Sequence, residues 1–575
     1  MVQAQHEWVR AGRRADLEAA GRAVVALGGH AIALFLSGGQ VYAVDNRCPH
    51  MGFPLSRGTV ADGLLTCHWH HARFDLCSGG TLDPFADNVR IYPVREVDGE
   101  LEVDLAAQQD GAEYWRRRLV EGMEQSLNLV VAKAVLALLA QGETPVAIGA
   151  IAGRFGVAYR DAGWSSGMTI LTALLNVLPL LAPDDRALAL THGVIRVAQD
   201  TAGRPPRFPV EPLPRAAVPV ARLQSWFRRA VEVRDEEGAE RALQTVLAVG
   251  AGVRAALDML YAAATDRYFI DDGHEIDFIT KAAEYLGHVG AEQAGPVLGS
   301  LVSGLCRAQR SEELYAWRYP VDLHALVEPA LARLEELQIG SSPNVCVDLE
   351  GLAAILLGDD PAAAIGVLLK WLERGAAPAA LGRAIGYAAA LRLARFPLSN
   401  EFGDWETVHN TWSSCHALYR ALEIAPSREL CRGLFHAAMA LYLDRFLNVP
   451  AARLPEESRR TVAGTSEDLL SQLEAAFDRQ QQVDEAGLLV HAYLAAGHDP
   501  GALLATLGRL VLREEAGFHW YQTLDAGARL FQSLAGDEPA AADRVLVGVT
   551  RYLAAHCPTT RALNQTAQIA LRLHR

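Results

Sequence analysis

Hydrophobic positions change their spacing once along the chain, near residue 112. Before that point, β-branched and aromatic residues form short runs separated by glycine pairs, which is the spacing of β-hairpins. A further run over 88–105 has the turn VDGE at its middle. These patterns predict a small antiparallel all-β domain over residues 1–107, and the runs that carry the prediction are AVVAL, AIALFL and QVYAVD.

After residue 112 the chain is rich in Ala, Leu, Arg and Glu, and apolar residues recur at i, i+3, i+4 and i+7. Gly or Pro interrupts this pattern every 12–25 residues, which indicates helix ends. The fold class is therefore predicted to be multidomain, a small all-β domain followed by a large all-α part. Loosely repeated segments favour stacked helix pairs in a superhelix, and the absence of a strict period leaves a multi-helix bundle open.

A proline-rich segment divides the predicted helical part. Residues 203–223 contain six prolines in 21 positions, and each proline removes a backbone donor and restricts the residue before it. The segment is predicted to be an extended connector, residues 203–221. It would join a first helical block, 112–202, to a second, 222–575.

Composition narrows the classes of partner. The formal net charge of −15 argues against a nucleic acid or an anionic membrane surface. The most apolar stretch, 127–140, has 14 residues and contains Lys133, so it predicts a buried helix rather than a membrane span. No secretory signal is evident, and eight scattered cysteines do not form a disulfide framework. The sequence therefore predicts a cytoplasmic location.

Two short Cys/His pairs carry the clearest chemistry. Cys48 and His50 form the first pair, Cys67 and His70 form the second, and sixteen residues separate the two pairs. Two thiolates and two neutral imidazoles from two loops can hold one zinc ion or one iron–sulfur cluster. Trp69, Phe74 and several glycines shape the loops, and these surroundings favour the cluster.

The segment CPHMGFPLSRGTV…GLLTCHWHHARFDLCSGG resembles the Rieske [2Fe–2S] domain, over about residues 7–107. The resemblance implies that Cys48 and Cys67 hold the inner iron and that His50 and His70 hold the outer one. Imidazoles in place of two thiolates raise the reduction potential of such a cluster.

The loops lack the extra cysteines of the respiratory form, so the site resembles the ferredoxin and ring-oxygenase subtype. Cys77 is predicted to be a structural thiol, and His68 and His71 are predicted to be exposed loop residues.

The helical part does not resemble a ring-hydroxylating oxygenase α-subunit. That family holds a mononuclear iron with an Asp-x2-His-x4-His pattern in an α/β domain. Here Asp271 and His274 begin the pattern, but position 279 is Ile. The helical part is weakly similar to questin-oxidase-like proteins, which would imply oxidation of an aromatic polyketide. That similarity assigns no residue.

Spacing within helices suggests a second metal site, a non-haem iron in the helical domain. His409 and His416 are seven residues apart, and Glu515 and His519 are four apart, so each pair would share a helix face. His274 adds a third element. The alternative is that each is an ordinary buried or capping residue. Further candidates of the same kind are Asp277, His192 and His491.

Two hypotheses follow for the whole protein. In the first, it is an oxidoreductase, with an oxygenase as one form. The Rieske domain takes electrons from a ferredoxin or flavin reductase and passes them to a metal or small-molecule substrate site in the helices. In the second, it is a redox sensor with a helical protein-binding scaffold. Convergence of several helical His and acid residues in one buried pocket near the histidine tip of the cluster would favour the enzyme. Scattered histidines at the surface would favour the scaffold.

Overall fold

The computed structural model describes residues 6–106, 111–214, 217–267, 273–340, 342 and 345–574. The chain divides into two compact units. The N-terminal unit comprises residues 1–143 and 565–575, and the helical unit comprises residues 144–564.

The first hundred residues form three small antiparallel sheets, and one short helix follows the first strand. The strand orders are β1-β10-β9, β2-β3-β4-β8 and β5-β6-β7. This confirms the predicted small antiparallel β-domain. The bounds are β1 Trp8–Arg13, α1 Arg14–Ala20, β2 Arg22–Leu27, β3 His30–Ser37, β4 Gln40–Asp45, β5 Thr59–Ala61, β6 Leu64–Thr66, β7 Arg73–Asp75, β8 Ile91–Tyr92, β9 Val94–Val97 and β10 Glu100–Asp104.

Strand β3 lies at the centre of the domain and is buried on both faces. Ile32 and Leu34 face one hydrophobic core, and Ala33 and Phe35 face another. The second core also contains both cysteines of the predicted metal site. Two-residue glycine turns with positive φ join β2 to β3 and β3 to β4, which fixes the register that sends alternate side chains to the two cores.

Two helices, α2 (Ala112–Glu124) and α3 (Asn128–Ala140), belong to the N-terminal unit and pack against each other. Composition alone assigns them to the first helical block. The domain limits stay predictions, namely 1–107, 112–202, 203–221 and 222–575. The two compact units divide after Glu143. Helix α3 is the predicted buried helix, and Lys133 lies near its middle.

The helical unit packs helices that are distant in sequence, such as α5 with α22, α16 with α23 and α10 with α17. A solenoid would join neighbours only, so this arrangement is a multi-helix bundle rather than a superhelix. The bounds are α4 Pro145–Ala158, α5 Ser166–Val177, α6 Pro183–Thr201, α7 Val220–Glu232, α8 Glu236–Ala248, α9 Gly252–Thr265, α10 His274–Val289, α11 Ala294–Gly299, α12 Val302–Arg307, α13 Leu323–Glu336, α14 Leu349–Leu356, α15 Pro361–Glu373, α16 Pro378–Ala394, α17 Phe402–Ile424, α18 Arg428–Leu443, α19 Ser466–Phe477, α20 Val483–Ala495, α21 Pro500–Leu512, α22 Phe518–Leu534 and α23 Pro539–His556. The last helix, α24 (Ala562–His574), lies mostly in the N-terminal unit, which includes residues 565–575.

The proline-rich segment contains no helix over 203–214 and 217–219, and α7 begins at Val220. Within the described residues, none of the helices combines the length and the apolarity that a membrane crossing requires.

Candidate functional site

The two cysteine loops, residues 46–54 and 67–72, have the same backbone pattern. The N–H of Cys48 donates to the carbonyl five residues later at 2.9 Å, and its carbonyl accepts from the N–H four residues later at 2.7 Å. Cys67 repeats both bonds at 2.8 and 3.1 Å. The fourth position after each cysteine has a left-handed backbone, Gly52 with φ 85° and His71 with φ 62°. Each loop is therefore a tight turn that presents its cysteine at a fixed position.

The two thiols point into the hydrophobic core. Cys48 is 2% exposed and Cys67 is 1% exposed. Burial raises the pKa of the Cys48 thiol to about 12, and the neighbouring Cys67 adds to the rise. A thiol such as that of Cys48 stays protonated unless a cation replaces the proton, because an isolated buried thiolate is strongly disfavoured. The pair therefore fits a metal group.

The two imidazoles lie side by side, with ring centroids 4.8 Å apart. Burial lowers the pKa of His50 to about 4, and the charges of His70 and Lys133 lower it further. The Nδ1 atom of His50 is buried and has no hydrogen-bond partner. A neutral ring with an unused buried nitrogen is what metal ligation requires. Phe85 packs against His50 at 5.0 Å, and the half-exposed Trp69 packs against His70 at 4.5 Å.

Two buried thiols and two adjacent imidazoles, presented by equivalent loops, are a donor set that fits a [2Fe–2S] cluster. The individual ligand assignments, Cys48, His50, Cys67 and His70, stay predictions. Cys77 is exposed and lies outside both loops. The other two histidines of the second loop, His68 and His71, are exposed as the sequence suggests.

Comparison with known proteins identifies the β-domain. Residues 7–93 match the model of the Rieske [2Fe–2S] domain. The chain belongs to the Rieske family through this domain. The match confirms the resemblance seen in the sequence, and a Rieske domain implies a [2Fe–2S] cluster.

Several relatives are ferredoxin components of dioxygenase systems. The ferredoxin component of the naphthalene 1,2-dioxygenase system of Pseudomonas putida is 31% identical over 101 residues, 17% of this chain and 97% of the relative. The anthranilate 1,2-dioxygenase ferredoxin subunit of Burkholderia cepacia is 37% identical over 75 residues, 13% of this chain and 69% of the relative. A solved structure, the ferredoxin of carbazole 1,9a-dioxygenase from Nocardioides aromaticivorans IC177, is 26% identical and covers 17% of this chain and 95% of that ferredoxin, with a TM-score of 0.16. The two ferredoxin relatives support an electron-transfer role for the Rieske domain, and each covers less than a fifth of the chain.

In the helical unit, three helices bring histidines to one place. His274 begins α10, His409 lies on α17 and His519 lies on α22. The rings of His409 and His519 are 4.5 Å apart, and those of His274 and His519 are 6.2 Å apart. The sequence proposed these three residues as parts of a second site, and the structure brings them together.

A fourth histidine, His556 at the end of α23, joins through Tyr552. The Tyr552 ring lies 4.7 Å from His409 and 4.5 Å from His556. His556 is not among the residues predicted from the sequence. Its only local signal is the i, i+4 spacing from Tyr552, and that spacing is too common in helices to mark a functional residue. These four residues, His274, His409, His519 and His556, are called the histidine group below.

The centre of the histidine group is fully buried. Neither ring nitrogen of His409 has a well-formed hydrogen bond. Burial holds the pKa of His409 well below its usual value, and the charges of His519, His556 and His274 lower it further. Burial likewise lowers the pKa of His519 to about 4. These imidazoles are therefore neutral and keep lone pairs available at neutral pH.

One carboxyl accompanies the group. Asp277 lies one turn after His274 on α10 and is 3% exposed. Gln522, one turn after His519 on α22, donates a hydrogen bond to it. Burial raises the pKa of Asp277 to about 7, against the opposing charges of Lys281 and His274. Across the described ranges, no three His, Cys, Asp or Glu side chains are close enough to hold one metal ion as they stand.

Two candidates from the sequence lie outside the histidine group. His416 shares a helix with His409, but seven residues separate them by about 10 Å along the axis, which is too far to share a ligand. Its ring lies 6.1 Å from those of Trp412 and Tyr419. Glu515 precedes α22, which begins at Phe518, so it does not share a helical face with His519.

The remaining candidates have other surroundings. Glu515 accepts a hydrogen bond from the N–H of Leu563 at 3.2 Å and lies 3.5 Å from the Arg196 guanidinium. His192 forms a hydrogen bond of 2.8 Å with the Tyr521 hydroxyl. His491, on α20, is half-buried. Asp271 lies outside the described residues.

An open cleft of about 450 Å³ reaches the histidine group at His274. This volume is typical of small-molecule sites. The walls combine aromatic, cationic and hydroxyl side chains, from Arg160, Trp164, Ser165, Ser166, Gln199, Asp200, Ala202, Arg204, His274, Phe278 and Phe518.

Proposed function

We propose that the protein is an oxidoreductase in which electrons taken up by the Rieske domain support an oxidation at the histidine group. The observation that carries the proposal is the convergence of four histidines from four helices around a buried centre, with an open cleft at His274. His409 is fully buried with neither ring nitrogen in a well-formed hydrogen bond, which is costly, and this favours a chemical role over a purely structural one.

The N-terminal unit would serve as the electron carrier. Cys48, His50, Cys67 and His70 would hold the cluster, which takes up and releases one electron at a time. His70 and the half-exposed Trp69 form the accessible side of this site. A ferredoxin or flavin reductase is the proposed electron donor, and the proposed location is cytoplasmic.

The helical unit would hold the oxidising site. His409, His519 and His556, with His274 at the cleft, are the proposed ligands of a non-haem iron, which would supply oxygen activation. Among the described residues no three of these side chains would hold one ion as they stand, so the rings would have to reorient on binding. Asp277, with its raised pKa, can accept or donate a proton near His274. The cleft would admit a small-molecule substrate.

The redox-sensor hypothesis predicts histidines scattered over the surface of a protein-binding scaffold. The buried convergence supports the enzyme hypothesis over this alternative, because a scaffold gains nothing from neutral imidazoles in its interior.

Metal analysis of the whole protein tests the proposal. Anaerobically purified protein should contain two irons and two acid-labile sulfides for the cluster, plus additional iron without sulfide. His409→Asn should lose the sulfide-free iron and keep the cluster. His416→Asn is the matched control, because it removes an equally buried histidine from the same helix, and it should keep both. Two irons and two sulfides in the wild type, unchanged in His409→Asn, would refute the second metal site.

A further inference from the structure

Lysine is almost absent from this chain. Of 53 basic residues only three are lysines, Lys133, Lys281 and Lys370. Lys370 is exposed on α15. Lys133 is 6% exposed, although it interrupts the most apolar stretch of the sequence. A buried ammonium at such a position requires specific partners, because its transfer out of water is strongly unfavourable.

Lys133 finds its partners in the Rieske domain. Its Nζ donates to the carbonyl oxygen of Pro49 at 2.8 Å, and Pro49 lies between Cys48 and His50. The same Nζ forms an ion pair with the buried carboxylate of Asp87. The ammonium therefore contacts the first cysteine loop directly.

Arg118 of helix α2 completes this arrangement. Its guanidinium donates to the other oxygen of Asp87 at 3.0 Å, and to the carbonyl oxygens of Pro84 and Ala86 at 3.0 and 3.1 Å. The segment that includes Phe85, the residue packed against His50, is thereby fixed to α2. Helices α2 and α3 thus hold two of the segments that surround the cluster site.

The charges of this arrangement reach the cluster site. Both Lys133 and Asp87 act electrostatically on His50, with opposite signs. Because the groups are buried, salt and solvent screen these interactions only weakly. Reduction adds one negative charge to the cluster, so a nearby cation stabilises the reduced state and a nearby anion destabilises it.

We propose that Lys133 is a positioning residue for the Rieske cluster, whose ammonium fixes the carbonyl of Pro49 and raises the reduction potential. The proposal rests on the presence of the cluster proposed above. The electron comes from the same external donor, and Lys133 neither gains nor loses a proton in this role.

The test is a spectroscopic redox titration of the whole, cluster-loaded protein. Lys133→Gln should weaken the affinity of the cluster for an electron by roughly tenfold, which is ~59 mV for a one-electron couple. Lys370→Gln removes the same charge from an exposed position and should leave the potential unchanged. Lys133→Arg keeps the charge and should retain most of the wild-type potential.

A second variant separates electrostatics from loosened packing. Asp87→Asn removes the anion and keeps the ammonium, so it should shift the potential upward, opposite to Lys133→Gln. A merely structural role would shift both variants in the same direction, and that result overturns the proposal. Unchanged potential in a folded Lys133→Gln also overturns it. If Lys133→Gln does not fold, Asp87→Asn still tests the sign, and a potential that does not rise in this variant overturns the proposal. A wild-type protein without sulfide would instead refute the cluster itself.

Discussion

The two candidate sites of this molecule are held together by different means. The cluster site uses two short loops, each closed by hydrogen bonds of its own backbone, and its four proposed ligands lie within 23 residues of sequence. The histidine group draws on four helices, and its members are spread from residue 274 to residue 556. Local hydrogen bonds position the first site, whereas only tertiary packing positions the second.

A buried ion network supports the helices of the histidine group. Lys281 of α10 pairs with Asp525 of α22 and with Glu284 at 2.9 Å. The amide of Asn176 donates to both carboxylates at 2.9 Å. This network joins α10 and α22, two of the helices that carry the histidine group. It fixes their positions, as backbone hydrogen bonds fix the cysteine loops. The difference predicts that the sites respond differently to substitution.

The largest effect is expected at the cluster site. Cys67→Ser should abolish cluster binding, with visible absorbance and acid-labile sulfide lowered by roughly tenfold or more, because a serine hydroxyl is a far poorer iron ligand. The thermal unfolding of the helical unit should not change. Cys77→Ser is the control, since it alters an exposed thiol outside the loops. Full sulfide content in Cys67→Ser would contradict the proposed ligand set.

The contrast between local and tertiary positioning also explains which features are predictable from the sequence. The Cys/His pairs are recognisable because ligand, spacing and loop geometry all lie in one short segment. The β-hairpins are predictable for a similar reason, since glycine pairs with positive φ stand between alternating runs. Strands β5 to β7 have three residues each, which is too short for alternation to be visible.

The histidine group is only partly predictable, because helical spacing shows which residues share a face and not which faces meet. His274, His409 and His519 are in the group. His416 shares a helix face with His409, but it lies too far along the helix axis to join the group. Glu515 falls outside the helix because α22 begins three residues later. His556 enters only through packing of α23 against α17 and α22, which no local pattern encodes.

An intermediate effect is expected from breaking the ion network. Asp525→Asn leaves the Lys281 ammonium with less compensation in the interior, and removal of one partner of a buried pair costs about 3–5 kcal/mol of unfolding free energy. Urea unfolding followed by circular dichroism measures the loss. Glu336→Gln, which removes an exposed partner of Arg333, should cost about 0–1 kcal/mol. Equal losses in the two variants would contradict a supporting role for the network.

The same variant should change the response to acid. Burial opposes ionisation of Asp525, but Lys281 and Arg529 outweigh it and lower its pKa below the ordinary 3.8. A carboxyl with a lowered pKa in the folded state adds stability above its unfolded pKa and loses it as pH falls towards the folded value. The difference between wild type and Asp525→Asn should therefore be full near neutral pH and narrow below pH 3.8. A difference that stays constant through that range would argue against the ion pair.

The smallest effect concerns the equivalence of the two cysteine loops. Gly52 and His71 occupy the same left-handed position, which costs a residue with a Cβ roughly 1–2 kcal/mol. Gly52→Ala should therefore destabilise the first loop by about 1 kcal/mol, and an added Cβ would also lie 3.3 Å from Leu573. His71→Gly should be neutral or stabilising by up to about 1 kcal/mol, because it removes the same strain from the second loop. The urea midpoint for loss of visible absorbance measures both, and shifts of the same sign would show that the loops are not energetically equivalent.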